Sequence, residues 1–258
     1  MKKAISYTLY FLGIQLLVSF AVSMVLILLG MKHDMLQNLI WSSGISSILT
    51  IVIFLWLKFA EVSRNYFRSG PWLVLLFAVF LSLGTLVPST WFQEQMPDLP
   101  DLVKNQMALL MKSQVGFFIV VLLAPFVEEL VFRGAVLRAL LSWSHDKAGW
   151  LGNHWTMIVI SALFFSFVHL NPAQMPHAFV IGILLGWLYY RTNSIIPGIA
   201  LHWTNNVSAY VVFSFFPDPD MKLVQLFGSQ NNVILAFIYS VLIFVPSIYM
   251  LNRLMKRV

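Results

Sequence analysis

The chain of 258 residues contains no cysteine. Disulfide staples, thiolate metal sites and cysteine nucleophiles are therefore all excluded. Charge is almost as scarce. Asp, Glu, Lys and Arg make up 10% of the residues, against about 25% in an ordinary soluble domain. A chain with so little polar surface cannot cover itself towards water. Internal repeats and low-complexity tracts are missing too, which speaks against the inverted-repeat plan of many transporters. The net charge is +6, but the basic residues are scattered over many loops rather than gathered in a patch. Nucleic acid is not an expected partner.

What fills the chain is apolar side chains, 59% of the total, with a mean hydropathy of +0.82. They fall in runs of about 18 residues or more, the length of a membrane-spanning helix. The expected fold is all-α: a polytopic integral membrane protein of about eight transmembrane helices, forming a single membrane domain over residues 1–258. The spans read as about 4–30, 38–60, 71–90, 113–141, 155–170, 176–191, 194–216 and 231–252. The first follows Met1-Lys2-Lys3, as in a signal peptide, but it exceeds an h-region of about 7–15 residues and reads as an uncleaved span. Pro125, Pro172, Pro176 and Pro197 mark kinks or helix ends. Residues 91–112, with Glu94, Asp98 and Asp101, read as an outer connector with an interfacial helix near 102–112. Gly182 and Gly186 form a G-x-x-x-G pair suited to close helix packing within the chain.

Lys and Arg favour the cytoplasmic side of a membrane. With an even number of spans, twelve of the sixteen fall on the side of the termini, and Lys32, Lys104, Lys112 and Lys222 fall on the other. Both termini are expected in the cytoplasm, and the basic excess reflects topology and contact with anionic lipid.

One span carries two adjacent acids, in Glu128-Glu129-Leu130-Val131-Phe132-Arg133. An acid at a helix centre costs roughly 2.5–3.5 kcal/mol, so it normally faces a cavity or a partner and marks a functional site. Glu129 and Arg133 stand four apart with the acid first, the favoured order for an ion pair. Glu128 points about 100° away, which leaves it to a cavity where it can act on water. Poor solvation and a neighbouring negative charge both push a carboxylate towards the protonation range of a general base. Two later spans carry Phe165-Ser166-Phe167-Val168-His169 and His202-Trp203-Thr204-Asn205-Asn206. His202 and Asn206 share a helix face and offer donors to an oxyanion. His169 with Glu128 can hold and deprotonate a water. On these span limits Glu128 lies about 22 Å along its helix and His169 at the far end of its own. Tilt, a kink at Pro125 or an earlier start to the fifth helix is needed to bring them to one depth. His33, His145, His154 and His177 read as residues in or near loops with no role, and Asn205 as packing against, or bonded to, a neighbouring helix.

E-E-x-x-x-R, F-x-x-x-H and H-x-x-x-N, in this order and in separate apolar helices, resemble the CAAX prenyl protease type II family, also called the CPBP or Abi family of intramembrane endopeptidases. The resemblance covers roughly residues 113–216, taken as the catalytic core. It implies that Glu128 and His169 activate water, that His202 and Asn206 stabilise the oxyanion, and that Glu129 and Arg133 support them. It also implies a membrane-associated peptide or protein substrate within the lipid bilayer, and a bacterial-type member in the cell membrane. No cofactor is favoured. If zinc or another divalent metal is bound, Glu128, His169 and His202 are the candidate ligands, with no H-E-x-x-H motif to arrange two of them on one helix. The alternative is a non-catalytic membrane scaffold or bacteriocin-immunity protein on the same fold.

Overall fold

The computed structural model describes residues 1–30, 35–63, 66, 68, 70–218 and 220–255. No strand occurs among them. The helices are α1 (Lys2–Leu28), α2 (Met35–Trp56), α3 (Trp72–Glu94), α4 (Lys104–Met111), α5 (Gln114–Ser144), α6 (His154–Phe167), α7 (Met175–Thr192), α8 (Ile196–Phe215), α9 (Leu223–Phe227) and α10 (Gln230–Leu254). Helix is what hydrocarbon demands, because no water is there to pair the backbone N–H and C=O groups. Five helices, α1, α2, α3, α5 and α10, are long and apolar enough to cross a membrane, and the chain is an all-α integral membrane protein. Helix α6, with 14 residues, reaches about 21 Å against a hydrocarbon core of about 30 Å. Helices α7 and α8 have 18 and 20 residues, but polar side chains interrupt their apolar sequence, His177 and Arg191 in α7 and His202, Asn205 and Asn206 in α8. Helix thus forms at each of the eight expected segments, while five meet the criteria for a span on their own.

The chain divides into two compact units. The first comprises Met1–Val62 and Val103–Met157. In it α1 packs along α2 and against the stretch of α5 around Phe132, and α2 packs on α4 and on the middle of α5. The buried face of α2 is Ser42, Ser46, Thr50 and Phe54, a strict four-residue repeat. Small residues in that stripe let neighbouring helices approach closely. Their hydroxyls are satisfied inside the helix, Ser42 Oγ donating to Asn38 O at 2.6 Å and Thr50 Oγ1 to Ser46 O at 2.7 Å. Phe11 meets Phe132 edge-on at 5.5 Å, seating α1 against α5.

The second unit comprises Ser63–Leu102 and Ile158–Val258. Helix α3 lies at its centre, packed on α10, α8 and α7. Its core gathers Val74, Ala78 and Leu81 with Ile181, Leu185, Leu201 and Leu251. At Gly84 the α10 backbone comes so close that a Cβ would stand 2.7 Å from Phe244 N. Arg191 ties the end of α7 to the end of α10, donating to Asn252 Oδ1 at 2.6 Å and to the Asn252 and Met255 carbonyls.

One expectation is corrected: helix α6 stops at Phe167, so His169 stands in the turn beyond it and not within the fifth helix. The helix expected near 102–112 forms as α4, Lys104–Met111, and the loop before it also makes contacts. Asn171, fully buried, donates to Asp101 Oδ1 at 3.0 Å and accepts from Leu102 N at 2.9 Å, and Gln93 donates to Ala173 O at 2.8 Å. The loop therefore clamps the α6–α7 turn, and helix α4 follows it.

Candidate functional site

Pro125 has no N–H, and its ring collides with the carbonyl four residues back. The chain widens in response. Phe118–Leu123, directly before it, is a π-helical stretch, and a second runs over Phe132–Leu137. Ala124–Val131 between them is regular α-helix and carries both acids. Single π turns inside α-helices concentrate at functional positions. On this segment Glu129 Oε1 accepts from Arg133 Nη1 at 2.8 Å, with the two side chains 0% and 1% exposed. Breaking a fully buried pair by removing one partner costs about 3–5 kcal/mol. Glu128 lies on another face and is only partly buried. The Arg133 charge is felt by both carboxylates, Glu129 more strongly. Two adjacent acids thus have different surroundings, one in a closed ion pair and one at an open edge. All three residues belong to the first unit.

The histidines belong to the second. His169 Nδ1 lies 2.8 Å from Phe165 O. A carbonyl only accepts, so Nδ1 carries the proton and neutral His169 presents its lone pair at Nε2. The Phe165 ring stands edge-on to His169 at 5.0 Å and to His202 at 5.8 Å. The phenylalanine of F-x-x-x-H is therefore a spacer that holds two imidazoles. It is seated by α7, where a Cβ on Gly182 would come within 3.3 Å of the Phe165 ring and 3.0 Å of Ala162 Cβ. Next to His169, Leu170 has φ 50°, a left-handed conformation that non-glycine residues rarely adopt and that stores about 1–3 kcal/mol. The Asn171 bonds to the 101–102 loop and the Ser166 Oγ bond to Met175 O, at 2.7 Å, hold the turn in that shape.

Helix α8 is uninterrupted from Ile196 to Phe215, so His202 and Asn206 share a face, with His202 buried. Asn205 is buried as well. Its Nδ2 donates to Asn206 Oδ1 at 3.2 Å, and its Oδ1 is buried with no hydrogen-bond partner among the described residues. His177 was expected to be an idle residue near a loop. It stands instead in the first turn of α7, within electrostatic reach of His202 and His169. The legible signal was Pro176, a helix-start residue that puts His177 one position inside. Asn205 was expected to pack against, or bond to, a neighbouring helix; its hydrogen bond is to Asn206 of its own helix. His145 is exposed beside Asp146, His154 opens α6 beside Trp155, and His33 lies outside the described residues.

Among the described residues no three His, Asp or Glu side chains are gathered to hold an ion.

Residues 111–208 match the family model described as type II CAAX prenyl endopeptidase Rce1-like. No curated protein and no solved structure matches the chain. The matched segment takes in the two acids and Arg133, the Phe165–His169 pair, and His202 with Asn206. Over residues 111–208, the segment that carries the motifs, the chain is similar to the Rce1-like type II CAAX prenyl endopeptidases, a family of proteases.

Proposed function

We propose that the protein is an intramembrane endopeptidase that cleaves membrane-associated peptides or proteins with water as nucleophile. The observation that carries this reading is the polar set of the second unit: His169 with its Nε2 lone pair presented, and His202 beside Phe165 with Asn206 one turn on. Glu128 takes a proton from water as its oxygen attacks the scissile carbonyl carbon, and His169 Nε2 accepts a hydrogen bond from the same water. The carbonyl becomes a tetrahedral oxyanion, held by N–H donors from His202 and Asn206. As the C–N bond breaks, Glu128 returns the proton to the departing amine. Glu129 and Arg133 keep the helix in the conformation that presents Glu128. The protein works in a bacterial cell membrane with both termini in the cytoplasm, as the Lys and Arg distribution favours.

Comparative peptidomics of cells carrying wild-type protein or Glu128→Gln tests this directly, followed by cleavage of the differing peptides with purified protein. The amide is nearly isosteric but cannot take the proton. Turnover should fall about 10²–10⁴-fold, the usual worth of a general base, with insertion and melting unchanged. Identical peptidomes favour a non-catalytic scaffold or immunity protein, and cleavage by Glu128→Gln within a few-fold of wild type refutes Glu128 as the base.

A further inference from the structure

The first compact unit contains a cavity of about 800 Å³ that the proposed hydrolysis does not use. Three segments wall it: the first two turns of α1, the turn after α2, and the last turns of α5. Lys2, Lys3 and Arg138 bring positive charge to the lining, and no acid is part of it. Tyr7, Phe59 and Trp143 supply aromatic walls. Lys147 Nζ stands 5.6 Å from the centre of the Trp143 ring, a fourth cation beside that wall. Packing holds the shape. Lys58 has φ 55°, a left-handed conformation unusual for a residue with a side chain. It turns the chain back, so that the Phe59 ring meets Tyr7 at 4.8 Å and stacks on Tyr10 at 5.7 Å. Arg138 Nη2 donates to Phe59 O at 3.1 Å, and Nη1 pairs with Glu61. Glu61 thus answers the Arg138 charge. No ion pair holds Lys2 or Lys3 among the described residues.

We propose that this cavity binds the phosphate headgroup of an anionic phospholipid. Its volume suits a ligand of that size, and basic pockets between spanning helices are suited to anionic headgroups. Arg138 lies ten residues beyond Glu128 on α5, about 15 Å along the helix, so the cavity stands apart from the general base. A lipid fits better than a soluble phosphate because the cationic face runs on into an apolar one. Lys2, Ile5 and Leu9 follow one face of α1 at i, i+3 and i+7, and Ile5 and Leu9 are exposed. Helix α1 is one of the five long and apolar enough to cross a membrane. Phosphate oxygens held by Lys2 and Lys3 therefore leave the acyl chains to run along Ile5 and Leu9 in the hydrocarbon. The hydroxyls of Tyr7 and Ser142, both in the wall, offer hydrogen bonds to the phosphate and to the polar group it carries. Tyrosine and tryptophan rings are at home at headgroup depth. The site does not depend on the catalytic reading.

Native mass spectrometry of the full chain, titrated in neutral detergent with phosphatidylglycerol or phosphatidylcholine, reads the binding directly. One phosphatidylglycerol should be held about ten-fold or more tightly than phosphatidylcholine, the order of effect expected from two lysines at an anionic headgroup. Lys2→Gln combined with Lys3→Gln should lose that preference. Ala139→Trp should lose it too, because Ala139 lines the cavity and the indole fills it while every charge stays in place. Lys112→Gln combined with Arg253→Gln removes as much charge away from the lining and should keep the preference. A preference that survives the lysine pair or Ala139→Trp overturns the site. Its loss in the control pair reduces the effect to net charge and overturns the site as well. Inorganic phosphate in millimolar excess and an acidic hexaglutamate peptide form two further arms, and neither should displace the lipid. Displacement by phosphate assigns the cavity to a soluble anion, and displacement by the peptide assigns it to an acidic polypeptide. Either result overturns the lipid assignment.

Discussion

Glu128 and Glu129 are chemically identical neighbours that the helix separates into two environments. Glu129 is closed into a 2.8 Å pair with Arg133, and its loss strands a guanidinium in a low-dielectric interior. Glu129→Ala should therefore cost about 3–5 kcal/mol, seen as a lower melting temperature and reduced protein yield, with activity falling in step. Glu128→Gln should leave melting unchanged while removing turnover. A Glu129→Ala protein that melts like wild type yet is inactive assigns Glu129 a chemical role instead. The metal question is also decided by single residues. The proposed mechanism uses no ion, so it expects purified protein to hold less than one equivalent of zinc and to keep its activity after chelation. Activity that disappears on chelation and returns with zinc makes His169 and His202 ligands, and the Nδ1–H···O=C bond of His169 would then serve to orient a metal-binding Nε2.

At the scale of helices, apolar runs made the segments legible, since length and hydropathy are what a bilayer selects. Their ends were less so. Helix α6 ends at Phe167 because Leu170 turns left-handed, and no glycine there announces it. The π turns around Pro125 follow from a missing N–H, but their placement before and after the acids depends on packing against α1 and α2. The Glu129–Arg133 spacing and the His202–Asn206 face were readable because both lie within one helix. The nearness of His177 to His169 and His202 was not, since no periodicity links residues on different helices. The role of Phe165 was hidden for the same reason, and it offers a test of packing. Gly182 leaves room for Ala162 and the Phe165 ring. Gly182→Ala should push that ring against His169 and His202, lowering turnover about ten-fold or more for an overpacking cost of about 1–3 kcal/mol. Moving the methyl group across the contact, with Ala162→Gly in the same chain, should restore both turnover and melting. If the exchange restores melting alone, Phe165 does not hold the imidazoles.

The whole molecule carries its motifs in both compact units, the acids in one and the histidines in the other, so any orientation in the membrane must suit both. Twelve of the sixteen Lys and Arg residues fall on one side of an eight-span path, and loops rich in these residues stay in the cytoplasm. The absence of cysteine makes the path directly measurable, because any introduced thiol is the sole target for maleimide. Asp146, exposed in the turn after α5, and Asp98, exposed in the loop after α3, lie on opposite sides of that path. Both are acidic, so replacing them does not weaken the Lys and Arg bias that sets topology. Asp98→Cys should react with a membrane-impermeant maleimide on intact cells. Asp146→Cys should react only after permeabilisation. Asp220→Cys, in the loop between α8 and α10, should follow Asp98→Cys. The reverse pattern places the termini outside. Labelling of Asp98→Cys and Asp146→Cys from the same side means that α5 does not cross the bilayer, and with it falls the burial in hydrocarbon that makes its two acids a site.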